Sequence, residues 1–262
     1  MKRIIAVVNQ KGGVGKTTTA VNLGAALGVA EKKTLLIDID PQANATSSLG
    51  YYDKNFLGRS VYDVLANKVS IEDTIVKTEL EYLDLLPSDI SLAATDVELV
   101  GLENKERLLK HALEPILNRY EYILIDCPPS LQILTLNALV AAHSILIPVQ
   151  AEFYAVEGLA KLLNTINSVR QAMNDDLEIE GVLITMYDSR LTLARQVADE
   201  VLNYFKSSVY KTYIPRNVRL AEAPSFGKPI ILFDPVSNGS KAYLELAKEL
   251  IEKHEKGTRS RS

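Results

Sequence analysis

The chain has 262 residues, 47% hydrophobic and 24% charged, enough to bury a core without covalent staples. Its single cysteine, Cys127, excludes a disulfide framework and any Cys-rich metal or cluster site within one chain. The formal net charge of −4 gives no global attraction to nucleic acid, and no apolar run approaches the roughly 18–20 residues of a membrane span, so a reducing, cytoplasmic setting is expected.

The first apolar run, Ile4–Val8, leads into N-Q-K-G-G-V-G-K-T-T-T and then a helical stretch over Lys16–Val29. Strand, glycine loop and helix in this order make a phosphate-binding loop. Its glycines let successive N–H groups surround phosphate oxygens, and the positive end of the helix points at the same anion. Gly12, Gly13, Val14, Gly15, Lys16, Thr17 and Thr18 form the cradle for ATP. Lys16 supplies a point charge for the β- and γ-phosphates, and the Thr17 hydroxyl is a ligand for Mg²⁺. The general pattern G-x-x-x-x-G-K-[ST] would put glycine at position 10. This chain has Gln10 there, and a second lysine, Lys11, early in the loop.

The next strand, Thr34–Asp38, continues as D-I-D-P-Q, and alternation sets Asp38 and Asp40 on one face. Two carboxylates beside an anion-binding loop need a cation or a proton-transfer task to hold them there. Residues 44–104 are less regular, with short helices flanking a strand at Tyr82–Leu86. A helix is expected over Lys105–Asn118. The strand Tyr122–Asp126 then ends four apolar residues on a carboxylate, the arrangement by which Asp126 holds Mg²⁺ directly or through water. Cys127 reads as a packed small residue, and Pro128 and Pro129 stop the strand.

Beyond this point helices are expected at Leu131–Ala142, Val156–Met173, Thr192–Phe205 and Ser240–Lys253. Strands are expected at Ile145–Val149, Val182–Met186, Val209–Ile214 and Pro229–Phe233. Most of the strand runs are continuously apolar, the mark of burial on both faces of a parallel sheet. The pattern predicts a doubly wound, mostly parallel α/β sheet flanked by helices, one domain over residues 1–255 and a disordered polar tail from 256 to 262. Ligands then lie at the carboxyl ends of the strands. His111 and His143 read as core or boundary residues and His254 as part of a fraying end, with no metal-ligand spacing among them.

Residues 186–228 hold seven basic residues against four acidic ones, a net +3 inside an acidic chain. A local positive region is what contact with backbone phosphates requires; an ordinary mixed-charge surface is the plain alternative.

K-G-G-V-G-K-T resembles the deviant phosphate loop of the ParA/MinD class of P-loop ATPases. D-I-D-P-Q-A-N-A-T-S-S-L-G, D-C-P-P-S, P-V-Q-A-E-F-Y-A-V-E-G-L and I-P-R-N-V-R-L-A-E-A-P-S-F-G-K-P-I extend the likeness over nearly the whole chain, to the short chromosomal ParA, or Soj, proteins. That resemblance implies an ATP-dependent homodimer in which Lys11 reaches the partner's nucleotide, with Glu152 a further candidate for contact across the interface. It implies a catalytic set of Lys11, Lys16 and Asp40, with Asp40 orienting the attacking water and Asp38 nearer the Mg²⁺ shell. Pro215, Arg216 and Asn217 would contact adenine. Arg190 and Arg219, with Arg195 and Lys228, would bind non-specific DNA. The implied role is chromosome or plasmid segregation on the nucleoid, with hydrolysis stimulated by a ParB-type partner.

Related classes fit less well. The C-terminal sequence lacks the basic, apolar amphipathic helix of membrane-binding MinD, one cysteine is too few for a cluster-bridging iron protein, and a strand by residue 4 leaves no room for an N-terminal operator-binding domain. A positioning ATPase for another cargo, and a metabolic phosphotransferase, remain as other readings.

Overall fold

A computed structural model describes residues 2–52, 56, 58–98, 101, 103–152 and 155–259. Seven strands form one sheet: β1 (Arg3–Val7), β2 (Thr34–Asp38), β3 (Val76–Lys77), β4 (Leu83–Leu86), β5 (Tyr122–Asp126), β6 (Ser144–Gln150) and β7 (Glu178–Thr185). Their order is β3-β4-β2-β5-β1-β6-β7, all parallel except the short edge strand β3. The expected mostly parallel, doubly wound sheet is therefore present.

Each central strand divides its side chains between two cores. Ile4, Ala6, Leu35, Ile37, Ile123, Ile125, Ile145 and Ile147 belong to one. Ile5, Val7, Leu36, Leu124 and Leu146 belong to the other. Both faces are covered, which is why these strands read as unbroken apolar runs. The helices Ile133–Ala141, Ala155–Ala172 and Thr192–Phe205 lie on the first face, while Lys16–Val29 and Asn238–Arg259 pack together on the second.

Four expectations change. The run Pro229–Phe233 is no strand: Ile230–Phe233 is a helical turn, entered from extended Pro229, and its first amide donates to the Asn22 Oδ1 at 2.7 Å. The same buried side chain donates through Nδ2 to the Thr18 carbonyl at 2.8 Å. The run Val209–Ile214 approaches β7 but makes only isolated bridges, at Val182–Val209 and Tyr187–Pro215. Its middle amides, Lys211 and Thr212, are instead taken by the Glu249 carboxylate at 2.8 and 3.1 Å. The helix expected over Lys105–Asn118 is three pieces, 3₁₀ turns at Lys105–Arg107 and Glu114–Ile116 around an α-helix at Leu108–Leu113, with Pro115 inside the last. Finally, the C-terminal helix continues to Arg259, so residues 256–259 of the expected tail are helical; residues 260–262 lie outside the described residues.

His254 is buried, not at a fraying end. Its Nε2 lies 3.0 Å from the Glu180 Oε2 and its Nδ1 3.3 Å from the Tyr122 hydroxyl. Ser144 Oγ also donates to Glu180 at 2.7 Å, and the Lys253 ammonium is 2.9 Å from its Oε1. Burial opposes charge on Glu180, yet His254 and Lys253 hold its carboxyl down at about 2.

Candidate functional site

β1 lies near the middle of the sheet, and its carboxyl end opens into the loop that carries Lys11 to Lys16. The loop is held from three sides. Buried Asn9 donates to the Pro148 carbonyl at 2.7 Å and accepts from the Lys11 amide at 3.0 Å. The Thr185 hydroxyl, at the end of β7, donates to the Val14 carbonyl at 2.8 Å. Gly13 and Gly15 adopt φ of 74° and 89°, values that only glycine takes without strain. Gly15 is the N-cap of the Lys16–Val29 helix, so the free amides of the first turn face the loop's concave side.

Lys16 is 6% exposed and donates from Nζ to the Lys11 carbonyl at 3.2 Å. Burial lowers its pKa, and Asp126, Cys127 and Asp40 act in the opposite direction. A buried ammonium facing carboxylates, tied for the moment to its own loop, is ready to exchange that carbonyl for phosphate oxygen.

The three aspartates have distinct surroundings. Asp38 and Asp126 are paired in register at the ends of β2 and β5, both with 0% exposure. The Asp38 Oδ2 accepts from the Thr46 amide and hydroxyl, each at 2.8 Å, and its Oδ1 from the Asp40 amide at 3.1 Å. Burial lifts Asp38 to about 6 against those hydrogen bonds. Its oxygens fix the Asp40–Thr46 segment, and at the end of β2 it stands beside Asp126, where it was expected to lie near the Mg²⁺ shell. Asp126 is the opposite case. Neither of its buried carboxylate oxygens has a hydrogen-bond partner among the described residues. Its pKa is raised well above the usual carboxylate range by burial and by Asp38, while the Thr17 hydroxyl and Lys16 act to lower it. A buried carboxyl whose charge burial opposes, beside a threonine hydroxyl, fits a cation that would restore that charge, and Mg²⁺ that keeps waters and substrate oxygens needs only one or two protein ligands.

Asp40 is 7% exposed; its Oδ1 accepts from the Gln42 amide at 2.9 Å and its carbonyl from Ser88 Oγ at 2.7 Å. It lines a cleft of about 580 Å³ together with Gly12, Gly13, Gly15, Lys16, Thr17 and Thr18. The opposite wall is Met186, Ala223, Pro224 and Ser225, with Tyr52 and Lys228. Pro215, Arg216 and Asn217 are not in that wall. Pro215 bridges to Tyr187, Asn217 caps the Val218–Glu222 helix by accepting from the Leu220 amide at 3.3 Å, and Arg216 is exposed. Met186, at φ 51° directly after β7, was missed, although its place at a strand's carboxyl end was a signal for it.

Lys11 projects from the loop with its side chain 45% exposed, 3.4 Å from the Glu152 Oε2. Arg190 and Arg195 lie between β7 and the early turns of the Thr192–Phe205 helix, and Arg219 on the Val218–Glu222 helix. All three are exposed. Lys228 belongs with the cleft and lies 3.8 Å from Glu79. Phe153 and Tyr154, part of the Q-A-E-F-Y segment, lie outside the described residues. No helix among the described residues is long and apolar enough to cross a membrane.

Comparison with known proteins agrees with this geometry. A family model described as an AAA domain matches residues 2–179. The sporulation initiation inhibitor protein Soj of Bacillus subtilis is 56% identical over 250 residues, 95% of this chain and 98% of that protein. The chromosome partitioning protein ParA of Myxococcus xanthus is 53% identical over 251 residues, 96% of this chain and 88% of that protein. Among solved structures, cobyrinic acid a,c-diamide synthase from Mycobacterium smegmatis, with a bound ATP analogue and magnesium, superposes with a TM-score of 0.86 at 39% identity over 98% of this chain and 97% of that one.

Proposed function

From the premise that this chain belongs to the ParA/Soj family of P-loop ATPases, which use ATP and Mg²⁺ in chromosome or plasmid segregation, we propose that two copies close around two nucleotides and that the pair grips DNA without regard to sequence. The observation that carries this reading is the meeting of Lys16, Thr17 and Asp40 at one cleft, with buried Asp126 near enough to act on Lys16 and Thr17 and with Lys11 projecting from the same loop.

Lys16 leaves the Lys11 carbonyl for the β- and γ-phosphates. Thr17 and Asp126 hold the metal. Mg²⁺, when bound, neutralises charge on the phosphate oxygens. Asp40, fixed by the Gln42 amide and Ser88, orients the attacking water. Lys11, released from Glu152, contacts the partner's phosphates, so that pairing depends on the nucleotide. Arg190 and Arg219, with Arg195, contact backbone phosphates, and pairing puts two such surfaces on one body, which multiplies weak contacts. Loss of the γ-phosphate then removes what Lys11 bridges, and the DNA-bound state ends. On this reading the chain acts on the nucleoid, and a ParB-type protein accelerates its slow turnover.

Asp40→Ala is expected to bind ATP and pair but not release phosphate; turnover at the wild-type rate moves the catalytic role elsewhere. Arg219→Glu is expected to pair with ATP yet lose DNA in an anisotropy titration. The likeness to a diamide synthase motivates one other reading, a small-molecule enzyme indifferent to DNA. Equal DNA affinity of the wild-type chain with and without ATP would favour it.

A further inference from the structure

The arginines assigned above to DNA are not free cations. Arg190 grips Asp188 with a fork: Nε donates to Oδ1 at 2.9 Å and Nη2 to Oδ2 at 2.7 Å, while the Arg190 amide donates to Oδ1 at 3.0 Å. The same two-pronged geometry serves guanidinium on phosphate. The Asp188 side chain is 17% exposed and that of Arg190 87%, so the carboxylate is set in the surface and the arginine wraps it from outside. Arg190, and more weakly Arg216, hold Asp188 at about 2, fully charged at neutral pH. Arg219 repeats the pattern on another element. Its Nη1 donates to Glu222 at 2.9 Å, its Nε lies 3.2 Å from Asp234, and its guanidinium lies over the Phe233 ring, 5.6 Å from the centroid. Arg195 differs, since it donates to neutral groups, the Ser189 carbonyl and the Thr192 hydroxyl.

We propose that Asp188, seconded by Glu222 and Asp234, is a built-in competitor of DNA phosphate that weakens the grip of each chain, and of a pair more than of a single chain, so that DNA is let go readily when pairing ends. The inference rests on the reading that Arg190 and Arg219 contact DNA. Exposed ion pairs are weak, so a polyanion displaces these carboxylates; they lower affinity without abolishing it. The penalty applies once to a single chain and twice to a pair. If neutralising Asp188 raises the single chain's affinity by some factor, the rigid pair gains about the square of it.

The test is anisotropy of a labelled random-sequence duplex over a KCl series, with wild type, Asp188→Asn, Glu222→Gln and Arg190→Glu, each with and without ATP, and with pairing followed separately by light scattering. Asp188→Asn is expected to tighten DNA binding about two- to fivefold without ATP, by about the square of that with ATP, and to steepen the salt dependence. Glu222→Gln, acting on Arg219, is expected to shift affinity in the same direction, which keeps the inference testable should Asp188→Asn not fold. Unchanged or weaker DNA binding by either folded variant overturns it, and loss in Asp188→Asn would show that the carboxylate aims Arg190 at phosphate. If Arg190→Glu pairs with ATP and keeps wild-type DNA affinity, the underlying assignment of Arg190 has failed; if it loses DNA while Asp188→Asn changes nothing, only the competitor has.

Discussion

Asp126→Asn tests the metal site through stability alone. The Asp126 carboxylate is fully buried, sits opposite Asp38 on the neighbouring strand and has no hydrogen-bond partner among the described residues. Leaving a buried polar group unsatisfied costs about 1–3 kcal/mol, and more when it is charged. At neutral pH the folded chain must either carry that charge unpaired or take up a proton that the unfolded chain does not, and asparagine, which keeps the shape, does neither, so without nucleotide the variant is expected to be the more stable protein by about 1–3 kcal/mol. For a chain of this length that is a rise in Tm of roughly 2–4 °C per kcal/mol. Magnesium with a non-hydrolysable ATP analogue reverses the order. At about 100 times its Kd a ligand adds about 2.7 kcal/mol to the wild type, and a variant lacking the metal's carboxylate gains much less. Urea denaturation of both proteins, with and without Mg²⁺ and analogue, gives the four values needed. A variant less stable than wild type without nucleotide, or one stabilised equally by it, refutes the reasoning.

Glu180→Gln removes the negative charge at the centre of the cluster with Ser144, Lys253 and His254. The folded-state carboxyl, at about 2, lies below an ordinary value of 4.5, so its stabilisation is present above that value and is lost as pH falls through the folded one. The difference amounts to about 3 kcal/mol at neutral pH; urea midpoints of wild type and variant should converge as pH falls from about 5 to about 2, and parallel profiles would count against it. Gly15→Ala forces a methyl group onto a residue at φ 89°, at a cost of about 1–2 kcal/mol in the left-handed region. The loop should relax away from that shape and nucleotide affinity in calorimetry should fall about tenfold or more, the equivalent of 1.4 kcal/mol or above; wild-type affinity would mean that the loop's curvature is not what holds phosphate.

Much of this was legible because the governing interactions are local. The Gly-Lys-Thr loop needs only its neighbours, and continuous apolar runs such as Tyr122–Asp126 follow directly from burial on both faces. Distant partners overruled the rest. Val209–Ile214 has a strand's composition, but Glu249, far along the chain on the C-terminal helix, captures the amides a ladder would use. Alternation would set Asp38 and Asp40 on one face, but β2 ends at Asp38, and Thr46 closes on that carboxylate while Asp40 lines the cleft. Arg190 and Arg219 meet near neighbours, Asp188 and, at i,i+3, Glu222, a spacing that the sequence does offer, whereas Asp234 comes from beyond the helix.

Asn22 has a consequence for transplanting parts between proteins. One amide group joins the Thr18 carbonyl, in the first turns of the nucleotide-binding helix, to the Ile230 amide, in the segment that follows Arg219. The 218–233 segment is therefore not a detachable module. A chimera that carries it onto another phosphate-loop scaffold must bring an asparagine at the matching helical position, or the graft will dock without its anchor.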